Sequence, residues 1–257
     1  MPIQDRANLF PEISREEIVR QADLLDRAYR EIAGARAVLG TRFDHVYEQV
    51  IYPKYEIGLV EHIDLGVDEQ GAKIFGYFDP RENVAYIDVS LRNDPRREFT
   101  CWHEVGGHGI LQGAWLRSFF PAGNKVVVTT EASLDPATTA GLEWQANTFA
   151  AYGAAPSWYL NHAFTSIFRS PRPFVYSGPG NYDFEAKFGT KTHWISDFGK
   201  LCYQIACYIQ RYFGLSKEAL GYRIEDSILA IDQTAPAKPF ILYRKAKVPS
   251  SAMRVGA

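Results

Sequence analysis

Cys101-Trp102-His103-Glu104-Val105-Gly106-Gly107-His108-Gly109-Ile110-Leu111 is the stretch on which the rest of this chain hangs. It holds two histidines, with a glutamate directly after the first. Neutral imidazoles bind divalent metals, and a carboxylate beside them moves a proton to and from water. His103 and His108 are therefore candidate metal ligands, and Glu104 a candidate general base. Zinc suits this donor set. It lowers the pKa of its water, and the carboxylate takes that proton and later delivers it to a leaving amine.

The spacing is unusual. The common zinc-hydrolase motif, His-Glu-x-x-His, separates its histidines by four positions, and here they are five apart. In an α-helix four steps return a side chain to within roughly 40° of its start, whereas five leave it roughly 140° away. A single π-bulge repairs this, because its i→i+5 turn brings residues five apart into line. Gly106 and Gly107 sit where the bulge is needed, and glycine tolerates irregular backbone best. The motif of the dipeptidyl peptidase III family is similar, with three residues between the glutamate and the second histidine.

A site of this kind needs a third protein ligand. The best candidate is Glu143, in Leu142-Glu143-Trp144-Gln145-Ala146-Asn147-Thr148-Phe149-Ala150-Ala151. Asn147, four residues on, shares its helix face and is expected to orient a ligand from behind. Ala146 and Ala150 are small enough for two helices to approach closely.

Arg97-x-Phe99, the His-Glu motif, Glu143-x-x-Ala146-Asn147-x-Phe149-Ala150-Ala151 and Pro156 together resemble the ImmA/IrrE family of zinc metalloproteases. The resemblance spans roughly Val84 to Pro156. It returns at Phe213-Gly214-Leu215-Ser216-Lys217-Glu218-Ala219-Leu220 and Arg223, like the helix-turn-helix-like region that follows the catalytic part in that family. It implies a zincin fold, zinc on His103, His108 and Glu143, and Glu104 as general base. It also implies cleavage of a helix-turn-helix transcriptional repressor. The extra residue between the histidines and the long 169–192 segment depart from the family pattern.

Composition bounds the answer. The chain has 257 residues, long enough for one large domain, and 46% hydrophobic residues promise a packed core. Net charge is −2, which gives no global signature for nucleic acid or an anionic membrane. From Lys200 onward nine Lys/Arg face four Asp/Glu, a net of +5 that leaves −7 for the rest. Such a basic third is usually a solvated face. Cys101, Cys202 and Cys207 have no disulfide-framework spacing and are expected as reduced thiols. Early charges (Asp5, Arg6, Glu12) leave no apolar signal core, and no apolar run is long enough for a span. A soluble, cytoplasmic protein is expected, with no membrane partner; nothing in the sequence sets the oligomeric state.

The expected fold class is α+β: a zincin-like metalloprotease whose small, mostly antiparallel sheet packs on helices that include the motif helix. Residues 1–195 would form the catalytic domain, 196–232 the helix-turn-helix-like region and 233–257 a basic tail with an apolar patch at Phe240–Tyr243. Helices are expected from Ser14 to Ala35, with Ser14 and Glu17 as capping box, and from Asp94-Pro95 to about Gly113. Others run from Asp135-Pro136 to about Gly153, from Pro156 through Phe168, from a Ser196 cap to near Gly214, and from a Ser216 cap to near Leu229. Strands are expected at Tyr55–Leu65, Lys73–Phe78, Val84–Leu91 and, at an edge, Lys125–Thr130. Residues 169–192, rich in Pro, Gly and aromatics, read as a loop or lid. His45 and His62 lack a spaced partner and read as structural. Tyr152, Tyr182, His193 and Tyr203 are candidate oxyanion stabilisers, none at a diagnostic spacing, and packing is the expected role of each.

The leading expectation is a zinc-dependent endopeptidase of limited specificity acting on a protein substrate such as a repressor. The alternative is a catalytically inactive regulator, binding a metal, a repressor or DNA. Direct nucleic-acid binding is the weaker option, because Glu218 and Glu225 on the second helix of the C-terminal pair would face phosphates.

Overall fold

The computed structural model describes residues 12–34, 42–68, 70–119 and 135–235. The chain opens with α1 (Arg15–Ala33). Ser14 caps it by accepting the Glu17 amide at 3.3 Å, and Gly34, at φ 53°, ends it. Ile18, Ala22, Leu25 and Tyr29 recur at helical spacing and are buried against α5 (Pro136–Ala154). The sequence did not single out α2 (43–55). Its middle turn, Tyr47–Ile51, is π-helical, and Glu56 leaves it in a left-handed conformation.

β1 (Gly58–Ile63), β2 (Gly76–Asp79) and β3 (Val84–Asp88) form a sheet in the order β1-β3-β2. β2 and β3 are an antiparallel hairpin turning at Asn83, φ 58°. β1 runs parallel to β3, so the sheet is mixed rather than mostly antiparallel. The cause is α2, which enters β1 from the same end as the hairpin turn: Gly58 donates to Asn83 O at 2.8 Å, and the Asn83 amide donates to Tyr55 and Glu56 carbonyls. β2 is left at the sheet edge, beside α3 (96–111), the motif helix. Then come α4 (Gly113–Phe119), α5 and α6 (Ser157–Ile167). Asp135 caps α5, accepting the amides of Ala137 and Thr138.

The 169–192 segment is not a loop. It supplies β4 (Phe174–Tyr176) and a hairpin of β5 (Gly180–Ala186) and β6 (Gly189–Ile195). Tyr182, Phe184 and Ala186 turn inward while Asp183 and Glu185 face solvent, a period-two pattern that the Pro/Gly content had masked. α7 (Phe198–Ile209) is capped by Asp197, whose carboxylate accepts the Lys200 amide at 2.7 Å, and not by Ser196. Ser216 caps α8 (Lys217–Glu225) as expected. β7 (Ala230–Asp232) pairs in parallel with β4, so the last described residues are woven back onto the segment before residue 195. One core cluster runs from Ile18 to Ala230. The expected 125–130 strand and nearly all of the 233–257 tail lie outside the described residues. The class is α+β, with eight helices among the described residues and small mixed and antiparallel sheets. Among those residues no helix is long and apolar enough to cross a membrane.

One buried carboxylate pins the motif helix. Glu98 Oε1 accepts the amides of Arg42 (3.1 Å) and Phe43 (3.0 Å) at the start of α2, and the Trp102 indole N–H (2.9 Å). Burial pushes the Glu98 carboxyl up, against the pull of these bonds. A raised carboxyl contributes most below the unfolded-state pKa of about 4.3, and that contribution fades as pH rises through the folded value. Glu98→Ala leaves three buried donors unpaired and is expected to cost about 2–4 kcal/mol in urea unfolding at pH 7. Glu98→Gln keeps the oxygen that serves all three, costs much less and flattens the decline of stability above pH 4–5. Equal losses in the two variants would refute this role.

Candidate metal centre

From Trp102 to Leu111 the motif helix is π-helical, ten residues rather than a single bulge. The Gln112 amide closes it on Gly107 O at 3.2 Å, an i→i+5 bond. The wider turn puts His103 and His108 on one face, their Nε2 atoms 3.1 Å apart.

Glycine sets the distance to the neighbouring helix. A Cβ on Gly107 would lie 2.5 Å from Ala146 Cα, and one on Gly106 would lie 2.4 Å from the Phe149 ring. With neither present, α5 seats directly on the π-turn and carries Glu143 to the histidines. Glu143 Oε2 is 3.3 Å from His103 Nε2, and Oε1 is 3.4 Å from His108 Nε2. The three residues singled out as ligands thus converge from two helices.

Glu104 stands behind them, 6% exposed. The edge strand covers it: a Cβ on Gly76 would lie 2.9 Å from Glu104 Cγ. The ligand atoms of His103, Glu104 and His108 all lie within 4.8 Å of one another, a group able to hold a metal ion. Of the two carboxylates, Glu143 touches both imidazoles. Glu104 makes no ion-pair contact with either among the described residues, which leaves it the more distant partner.

The electrostatics of this cluster favour positive charge. Burial pushes the Glu104 carboxyl up, the two imidazoles pull it down and Glu143 pushes it up again, with a net rise. Burial would also raise Glu143, but hydrogen bonds to His103 and His108 hold it well below the usual carboxylate range. Burial would lower His108, yet Glu143 and Glu104 push it up to about 9. Two acids around two imidazoles favour positive charge there, whether as a ring proton or as a bound cation.

Sequence reasoning missed Gln112. Its Oε1 lies 2.8 Å from His108 Nδ1, and its Nε2 donates to Leu142 O (2.8 Å) and Gln145 Oε1 (3.2 Å). The available signal was its place four residues after His108. Asn147 is exposed, and no hydrogen bond joins it to either histidine among the described residues. His103 Nδ1 is buried without a partner among the described residues. The four oxyanion candidates are engaged elsewhere. Tyr152 lies under the Arg223 guanidinium at 3.9 Å, and Tyr182 donates to Gly178 O. His193 bonds Tyr208, and Tyr203 lies under Lys200.

Comparison with known proteins finds no matching family model, no matching curated protein and no matching solved structure.

Gly107→Ala places a methyl against the α5 backbone, which has no flexible side chain to move aside. It is expected to destabilise the chain by about 1–3 kcal/mol and to abolish metal binding. Thermal unfolding and elemental analysis read both effects; unchanged metal content would show that α5 does not need this contact.

Proposed function

We propose that this chain is a zinc-dependent endopeptidase of limited specificity, with His103, His108 and Glu143 as zinc ligands and Glu104 as general base. One observation carries this: the donor separations of 3.1, 3.3 and 3.4 Å. Ligands at about 2.0–2.1 Å around a tetrahedral zinc stand roughly 3.3–3.4 Å apart, close to the Nε2–Nε2 spacing and to the contact that each Glu143 oxygen makes with one imidazole. Zinc held there supplies Lewis acidity toward a carbonyl oxygen and toward water.

The chain's own residues supply the rest. Glu104, buried and raised, takes a proton from the attacking water and returns it to the leaving amine. Among the described residues β2 has no strand on the side beside Glu104, an edge that suits a substrate strand lying extended along it. This placement of a sheet edge over a motif helix supports a zincin-like arrangement. The resemblance to the ImmA/IrrE family supplies the substrate class, a helix-turn-helix repressor, and the unpaired cysteines suit a cytoplasmic site of action. The helix-turn-helix-like pair α7–α8 fits protein docking better than DNA reading. Arg223 is buried, donating to Ala155 O and Ser157 Oγ, and the solvent face of α8 carries Glu218, Tyr222 and Glu225.

Bound metal per chain is the first test. Wild type is expected to hold one zinc, and His108→Ala and Glu143→Ala to hold none. Glu104→Gln should keep the zinc and lose at least about 100-fold in the rate of repressor cleavage. Cleavage at the wild-type rate by Glu104→Gln would remove the mechanism. Absence of zinc from wild type after loading would favour a regulator without catalysis.

A further inference from the structure

We infer that Gln112 is the positioning residue of this centre: it holds His108 in the Nδ1-protonated tautomer and fixes the spacing between the two ligand-bearing helices. The inference rests on the zinc assignment above and adds to it a residue outside the motifs.

The orientation of the Gln112 amide follows from its neighbours. Leu142 O is a carbonyl and only accepts, so the end of the amide 2.8 Å from it is the NH2. The other end, Oε1, therefore faces His108 Nδ1 at 2.8 Å, and an amide oxygen only accepts. Nδ1 must carry the proton. A neutral ring protonated at Nδ1 has its lone pair on Nε2, the atom that faces His103 and Glu143. Water has little chance to substitute, since Gln112 is 1% exposed and His108 6%.

The same side chain is a spacer. It leaves the end of α3 one residue before α4 begins, and reaches the backbone carbonyl immediately before Glu143 on α5. Gln145 Oε1, a second acceptor at 3.2 Å, keeps the NH2 turned that way. One amide thus touches His108 and the peptide unit that carries Glu143. His103 has no equivalent support, because its Nδ1 has no partner among the described residues. Ligand orientation therefore depends on Gln112 more than on any other described hydrogen bond to the site.

The test is Gln112→Leu, which nearly conserves volume and removes both hydrogen-bonding ends. Zinc affinity is measured by competition with a chromophoric chelator, and is expected to fall about 10- to 100-fold. Nitrogen NMR of the His108 ring in the metal-free chain at alkaline pH gives a readout that filling the space would not move. Wild type is expected to be protonated at Nδ1, and Gln112→Leu to lose that preference. Wild-type zinc affinity and tautomer in the variant, even with a lowered melting temperature, would reduce Gln112 to a packing residue and overturn the inference. If wild type binds no zinc, the zinc assignment falls, and the ring tautomer alone decides: Nε2 protonation in wild type overturns the role of Gln112.

Discussion

Two imidazoles five residues apart face one point only if the helix between them turns more widely than an α-helix. π-turns are rare and short because their axial contacts are poor, and glycine adds an entropic penalty. The segment Trp102–Leu111 has both handicaps, with glycine at 106, 107 and 109. It forms because its surroundings hold it. Trp102 and Val105 are buried in the core, Glu98 fixes the indole of Trp102 from the turn before, and α5 sets its backbone at Ala146 against Gly107 and its Phe149 ring against Gly106. The motif is therefore a product of tertiary packing. Its glycines are the condition under which a second helix comes close enough to bring in Glu143.

That closeness concentrates charge. A buried carboxylate is costly unless paired, and this centre sets buried Glu104 and half-exposed Glu143 around two imidazoles. The acids respond in opposite directions. Glu143 touches both rings and is held ionised; Glu104 stands back in a dry position and is raised. The two carboxylates thus differ in environment: one contacts both rings and is held charged, the other is dry and pushed toward its neutral form.

Much of this was legible in the sequence because it is local. The capping residues Ser14, Asp135 and Ser216 marked their helices, the spacing of His103 and His108 demanded i→i+5 geometry, and Glu143 stood out by its small neighbours. What was illegible is long-range. Whether β1 runs parallel or antiparallel to β3 depends on how α2 returns the chain, and no residue in β1 encodes it. The β5–β6 hairpin hid behind turn-rich composition, and β7 finds β4 across 53 residues or more of sequence. Gln112 was missed for a related reason. An amide has no signature of its own, and its partners Leu142 and Gln145 become visible only when α5 is seated on the π-turn.

Access follows from the same packing. Side-chain exposure is 12% at His103 and 7% at His108, against 49% at Glu143. The centre is closed by the core below and by Gly76 of the edge strand on the Glu104 side, and it opens past Glu143. A polar group brought in there meets a low-dielectric wall, where each charge acts more strongly than in water. Among the described residues the neighbouring edge of β2 has no strand partner on this side, and at Gly76 it carries no side chain, so backbone hydrogen-bonding groups are what it presents there.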